Sequence, residues 1–195
     1  MSATETKSRS GPGRPRCYDE AAALDAALQV FWSQGFEATS IDDLTSAMGI
    51  SRSSFYSAFG SKEQVFLAAL KAYSARALGA LQDMSQQPAG DPVPAMLSAL
   101  ASPDGGPRGC LLVNCITELA PHHPEVAAVG RAHLARIERL IAEALSPADP
   151  EAATDRARAL AALAIGTLTL RKSGLSAEAI DAVLKQGHAL LVPPG

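Results

Sequence analysis

Thr39-Ser-Ile-Asp-Asp-Leu-Thr-Ser-Ala-Met-Gly-Ile-Ser-Arg-Ser-Ser-Phe-Tyr-Ser-Ala-Phe-Gly-Ser-Lys-Glu63 decides how this chain is to be read. Ser40 is placed to cap a helix that starts at Ile41, and Asp43, three residues on, completes a capping box. Ile41, Leu44 and Met48 recur at helical spacing and predict an inward face. Gly49 supplies the left-handed turn that ends this helix. Ser51 caps a second short helix, which turns Arg52, Ser53, Ser54 and Tyr56 outward while Phe55 and Phe59 point in. Ser61 with Gln64 offers another capping box and launches a long helix through Lys62. Helix, glycine turn and a second helix rich in exposed donors form the layout of a DNA-reading helix-turn-helix.

The same stretch and its neighbours carry a family likeness. Gly13-Arg-Pro-Arg16, Ala27-Leu-Gln-Val-Phe31, Gly35-Phe36, Thr39-Ser-Ile41, Met48-Gly-Ile-Ser51 and Phe55-Tyr-Ser-Ala-Phe-Gly-Ser-Lys-Glu63 together resemble the amino-terminal domain of TetR/AcrR-type transcriptional regulators. The likeness covers roughly the first third of the chain. It departs at Ala58, where many members have a histidine before the phenylalanine. The resemblance implies a nine-helix all-α fold and a homodimer held by the last two helices of each subunit. It also implies an effector pocket between the central helices. Tyr56 and Lys62 would grip DNA phosphates, joined by Thr39 and Ser40 from the first helix of the motif.

Outside the motif, composition sets bounds. The 195 residues are 47% hydrophobic, enough for a folded chain with a sizeable core. The net charge of −3 argues against a histone-like binder. Residues 1–16 hold Lys7, Arg9, Arg14 and Arg16 against Glu5, and their Ser, Gly and Pro content reads as a disordered basic arm. Arg14 and Arg16 flank Pro15, a pattern that can follow a DNA backbone or enter a minor groove. There is no apolar h-region at the start, and the longest uncharged apolar stretch, Ala159–Leu170, is too short to span a bilayer. Cys17, Cys110 and Cys115 form no disulfide framework, so a cytoplasmic chain without membrane contact is expected.

Along the chain, Asp19 caps a helix running to about Gln34, with Leu24, Leu28 and Phe31 on one face, and Gly35 ends it. A long helix follows from Lys62 to about Gln86, then segments near 94–101, 109–120, 124–145, 151–172 and 177–191, separated by prolines and glycines. No segment alternates at period two. The expected architecture is all-α with nine helices. A basic arm (1–16) precedes a helix-turn-helix DNA-binding domain (17–61) and a helical effector-binding and dimerisation domain (62–195).

Candidate sites follow. Arg14, Arg16, Thr39, Ser40, Arg52, Ser53, Ser54, Tyr56 and Lys62 are the expected contacts to a double-stranded DNA operator. Tyr73, Cys110, Asn114 and Cys115 are candidates for a small-molecule effector pocket, in which polar groups embedded in an apolar wall orient the ligand. Leu160, Leu163, Ala164, Thr167, Leu184 and Leu191 make an apolar, small-residue stripe expected in a homodimer interface.

Arg108-Gly-Cys110 opens an apolar helix, where a thiolate is favoured, and an oxidant- or electrophile-sensing repressor acting through Cys110 or Cys115 is the alternative reading. The Gly-Cys-Leu run also resembles a subset of the family, some of whose members sense reactive species. His122, His123 and His133 lack the spacing of a metal site, so neither metal nor cofactor is expected. No base is placed near Cys110 for a thiol enzyme. A repressor released by its effector is therefore favoured over an enzyme or a helical scaffold.

Overall fold

The computed structural model describes residues 18–87, 90–102 and 106–192, and the basic arm with Arg14 and Arg16 lies outside them. Among the described residues there are nine α-helices and no strand, as the sequence predicts. They are α1 (Glu20–Gln34), α2 (Ile41–Met48), α3 (Arg52–Phe59), α4 (Lys62–Ser85), α5 (Val93–Ala101), α6 (Leu111–Glu118), α7 (Pro124–Leu145), α8 (Thr154–Lys172) and α9 (Ala177–Leu191). Single 3-10 turns at Gly106–Arg108 and Glu151–Ala153 precede α6 and α8.

The caps act largely as the sequence predicts. Asp19 accepts from the Ala21 and Ala22 amides, and the Ser40/Asp43 capping box is closed in both directions. Hydrogen bonds from the Ser40 hydroxyl and amide hold the Asp43 carboxyl below its usual range. Gly49 ends α2 at φ +65°, a conformation that disfavours any residue with a Cβ. At α4 the partner differs from expectation. Ser61 accepts from the Gln64 amide, but it is the Glu63 carboxylate that is held below its usual range by its own amide and by the Ser61 hydroxyl. The helix expected from Gly109 starts two residues later, because Gly109 takes φ +71° and Cys110 is extended.

Two apolar cores follow. The first joins α1, α2, α3 and the first half of α4 around Phe31, Leu44, Phe55, Val65 and Leu70, and it also takes in Leu111, Leu112 and Cys115 of α6. The second lies between the end of α4 and α5, α7, α8 and α9, around Leu97, Ile137, Ile141, Leu160 and Ile180. α4 crosses from one to the other, with Val65–Tyr73 in the first and Leu81 in the second. At 24 residues it is about 36 Å long. The first core does not stop at residue 61, since it owns half of α4 and most of the buried face of α6.

Between α4 and α7, a buried polar pair interrupts the apolar packing. Ser74 Oγ and His133 Nδ1 lie 2.7 Å apart, and His133 is 7% exposed. Burial drives the imidazole pKa down to about 4, so it is neutral in the folded protein at neutral pH.

Two outcomes test this packing. Phe55→Ala should lower the unfolding free energy by about 3–5 kcal/mol in urea titrations, because the ring is fully enclosed. The folded His133 binds protons less readily than the unfolded one, so its contribution is complete above pH 6.5. It is lost as pH falls towards 4, by about 3 kcal/mol over the window. Urea titrations across that range should show this slope in the natural chain and lack that share of it in the double variant Ser74→Ala, His133→Leu.

Candidate nucleic-acid interface and effector cleft

α3 is eight residues long and held by a single enclosed side chain. Phe55 is fully buried, with its ring edge-on to Tyr56 at 5.5 Å and tilted against Phe59 at 6.0 Å. That leaves Arg52, Ser53, Ser54 and Tyr56 exposed, Tyr56 by 51%. α3 carries no acidic residue, and its first-turn amides belong to the positive end of the helix dipole. The Ser51 hydroxyl lies 2.9 Å from those of both Ser53 and Ser54, so three hydroxyls form one connected cluster at this end.

Arg52 is not loose. Its Nε and Nη2 both reach Asp42 Oδ1 on α2 at 2.7 Å, which draws the guanidinium across the turn. Sequence periodicity alone does not pair these two: Asp42 faces out beside the arginine from ten residues earlier.

Three expected DNA contacts occupy other positions. Thr39 is 2% exposed, and its hydroxyl donates to the Gly35 carbonyl at 2.6 Å. The Ser40 side chain is spent in its capping box. The Lys62 ammonium donates to the carbonyls of Phe36 and Thr39 at 3.0 and 3.1 Å and sits 4.5 Å from the centre of the Phe36 ring. In this structure Lys62 and Thr39 knit the α1–α2 loop to the start of α4. Each is a natural DNA candidate for its polar end, but the loop carbonyls claim that end first.

A cleft of about 520 Å3 opens between the end of α1, α6 and the end of α8. Cys110, Asn114 and Cys115 line it, as three of the four expected ligand residues. Tyr73 stands behind, in the first core, with its hydroxyl 3.5 Å from Cys110 Sγ. Glu118, on α6 itself, also lines the cleft, as do Lys172 and Trp32, which sequence reasoning misses because they come from segments far away in the chain. Lys172 Nζ donates to Asn114 Oδ1 at 2.5 Å, and Asn114 Nδ2 donates to the Arg108 carbonyl at 2.9 Å. Arg108 in turn lies over the Trp32 ring at 4.5 Å.

The two cysteines differ. Burial first, then Glu118 and Cys110, push the Cys115 thiol up to about 12, so it stays protonated at neutral pH. Cys110 is half-buried at the start of α6. The histidines also part company. His122 is exposed, His123 stands edge-on to Phe36, and His133 faces Ser74. Among the described residues no three metal-ligating side chains gather.

The stripe expected at a dimer interface lies mostly inward within the chain. Leu160, Ala164, Thr167 and Leu184 are buried by the chain's own helices, and Leu163 and Leu191 are half-buried against the second core. Apolar periodicity picks out the face that packs inward. The outward faces instead carry Ala159, Ala162, Gly166 and Leu170 on α8, and Ala182, Ala189 and Leu190 on α9.

Comparison with known proteins agrees with this geometry. Residues 23–69, from α1 into α4, match the family model described as bacterial regulatory proteins, tetR family. The HTH-type transcriptional regulator YezE of Bacillus subtilis is 34% identical over 121 residues, 59% of this chain and 62% of that one. The HTH-type transcriptional repressor ComR of Escherichia coli is 33% identical over 140 residues, 68% of this chain and 66% of that one. The chain thus spans a little under two thirds of the length of these relatives. Among solved structures, a cysteine mutant of the TetR family transcriptional regulator CifR, complexed with 26bp double-strand operator DNA, superposes with a TM-score of 0.74. It is 29% identical, and the overlap covers 89% of this chain and 97% of that one. With its capped α2–α3 turn, the chain carries over residues 23–69 the domain that this model describes for the tetR family of bacterial regulatory proteins, and its all-helical frame is similar to theirs throughout.

Proposed function

We propose that this chain is a homodimeric, DNA-binding transcriptional regulator, acting as a repressor that a small-molecule effector releases from its operator. One observation carries the reading: α3 exposes Arg52, Ser53, Ser54 and Tyr56 while its single enclosed ring, Phe55, pins it to the head. A helix so presented fits a major groove. There Arg52 would contact guanine with the guanidinium edge that Asp42 leaves free, and the serine hydroxyls and Tyr56 would reach bases or phosphates. The names of ComR, a repressor, and of operator-bound CifR support the same reading.

Dimerisation rests on the outward faces of α8 and α9. Gly166 has open space where a side chain would stand, which suits the close approach of a second helix, and Leu190 is 73% exposed. A two-fold pair would set two α3 helices on successive major grooves. Release then requires an effector that favours one head spacing over the other. α4 is the lever, because it belongs to both cores.

A second reading has a specific support. Cys110 lines the effector cleft, so an electrophile alkylating its sulfur would fill the space that a reversible ligand occupies.

Mobility-shift titration with DNA upstream of the gene should show saturable binding. Arg52→Ala with Tyr56→Ala should weaken it at least a hundredfold, at about 1–3 kcal/mol per lost contact and two heads per dimer. No binding at low salt overturns the proposal. Lys62→Met separates scaffold from phosphate grip. As a staple its loss should destabilise the free protein by about 1.5–3 kcal/mol in thermal melts, whereas a lysine serving only DNA would leave the melt unchanged. Leu190→Glu with Ala162→Glu should yield monomers by light scattering and cost little protomer stability, since both side chains face outward.

A further inference from the structure

We propose that Asp42 is a positioning residue for operator recognition: it turns Arg52 towards a guanine in the major groove and holds it off the phosphates. This deepens the DNA-binding reading above and rests on it. Asp42 itself touches no base.

The pair stands out by what surrounds it. Arg52 is the only charged side chain of α3, whose other members are serine, alanine, phenylalanine and tyrosine. It is therefore the one side chain there that offers two parallel donors. The first turn of α2 carries two carboxylates, and they do different things. Asp43 closes the capping box by accepting from the Ser40 amide and hydroxyl. Asp42 takes no part in that cap, and among the described residues its carboxylate is partnered by Arg52. An acidic side chain on a surface that meets DNA repels phosphates, so by its charge alone Asp42 weakens binding. Its place beside the one cation of α3 gives it a use.

The contacts decide which part of the guanidinium remains. Arg52 Nε and Nη2 both reach Asp42 Oδ1 at 2.7 Å, so the side edge of the fork faces α2. Nη1 and the second hydrogen of Nη2 are left at the end of the fork. Two donors side by side match O6 and N7 of guanine. Adenine sets an amino donor beside its N7, and thymine offers one carbonyl, so neither takes both. A phosphate also accepts the fork, but that contact brings Asp42 against an anion.

The side chains of Arg52 and Asp42 are 62% and 71% exposed, so in the free protein water screens the pair and it contributes little. Docking on DNA expels that water. Attraction within the pair and repulsion between Asp42 and phosphate both strengthen there. Asp42 thus acts when DNA is bound.

The test is selection from a random-sequence duplex pool by the full-length natural protein, Asp42→Asn, Arg52→Ala and the double variant. The natural protein should enrich a site containing a guanine that Arg52→Ala no longer requires. Competition titrations then compare that site with the same site carrying adenine at this position. Asp42→Asn should lower the guanine preference at least about threefold, within the range of coupling in one salt-bridge network, and should bind unrelated DNA more tightly. In the Arg52→Ala background the same substitution should leave the base preference unchanged while still tightening binding to all DNA. A merely structural role for Asp42 would move binding to every sequence alike in both backgrounds. Asparagine keeps the size of aspartate, and both positions are exposed, so circular dichroism should show each variant folded.

An Asp42→Asn protein that binds the guanine and adenine sites more tightly by the same factor overturns the proposal, since Asp42 then only masks Arg52. A guanine preference that survives Arg52→Ala overturns it too. No enrichment by any of the four proteins at low salt removes the DNA-binding reading itself, and the proposal falls with it.

Discussion

The Lys62 ammonium is the knot on which the head depends. It satisfies the carbonyls of Phe36 and Thr39 in the α1–α2 loop, lies on the face of the Phe36 ring, and belongs to the first turn of α4. Carbonyls at the end of a loop lack helical partners, and leaving them unpaired while part-buried costs on the order of 1–3 kcal/mol each. One flexible side chain thus fixes where α2 begins, and with it the angle at which α3 is carried. Phe36 receives the lysine on its ring and His123 at its edge, so the α6–α7 corner touches the same residue. Whatever displaces that corner acts on the head through one phenylalanine.

That arrangement explains why α6 matters more than its eight residues suggest. Leu111, Leu112, Cys115 and Leu119 pack in the head's core, while Asn114 reaches Lys172 at the end of α8. α6 therefore bridges the head and the last helices independently of α4. Two routes connect the halves of the molecule, and the cleft lies beside the one through α6. Close-packed cores respond to a wedge by shifting as units, which is how a ligand a few ångströms across can alter a reading head.

Much of this is legible in the residues. The caps at Asp19, Ser40, Ser51 and Ser61 and the glycine at 49 are local chemistry, so sequence alone places all nine helices to within a few residues. What sequence reading does not see shares a cause: a side chain's partner lies far along the chain. Lys62 and Thr39 look like exposed polar residues until the loop carbonyls claim them. Leu160 and Leu184 satisfy the pattern of an interface helix, yet the pattern only says which face is apolar, and the chain's own second core takes that face first. Cys115 stands out in the sequence by its spacing from Cys110, and spacing carries no measure of burial. The Lys172–Asn114 pair spans 58 residues and leaves no local signature at all.

The electrostatics of the head make the placement of its charges decisive. Residues 1–76 hold eight basic and eight acidic side chains, so a net field drawing phosphates towards this half is absent. Arg52, the only cation on α3, is already paired with Asp42. An exposed ion pair of this kind contributes little to stability, about 0–1 kcal/mol, so it yields easily to a stronger partner. Yet Asp42 also repels phosphate, and that repulsion is least where Arg52 reaches into the groove towards a base and greatest against the bare backbone. On the proposed reading, the pair would penalise indiscriminate binding more than sequence-specific binding. In the proposed dimer, a neutral head with a paired arginine would trade affinity for selectivity, and the second head would supply affinity back through effective concentration.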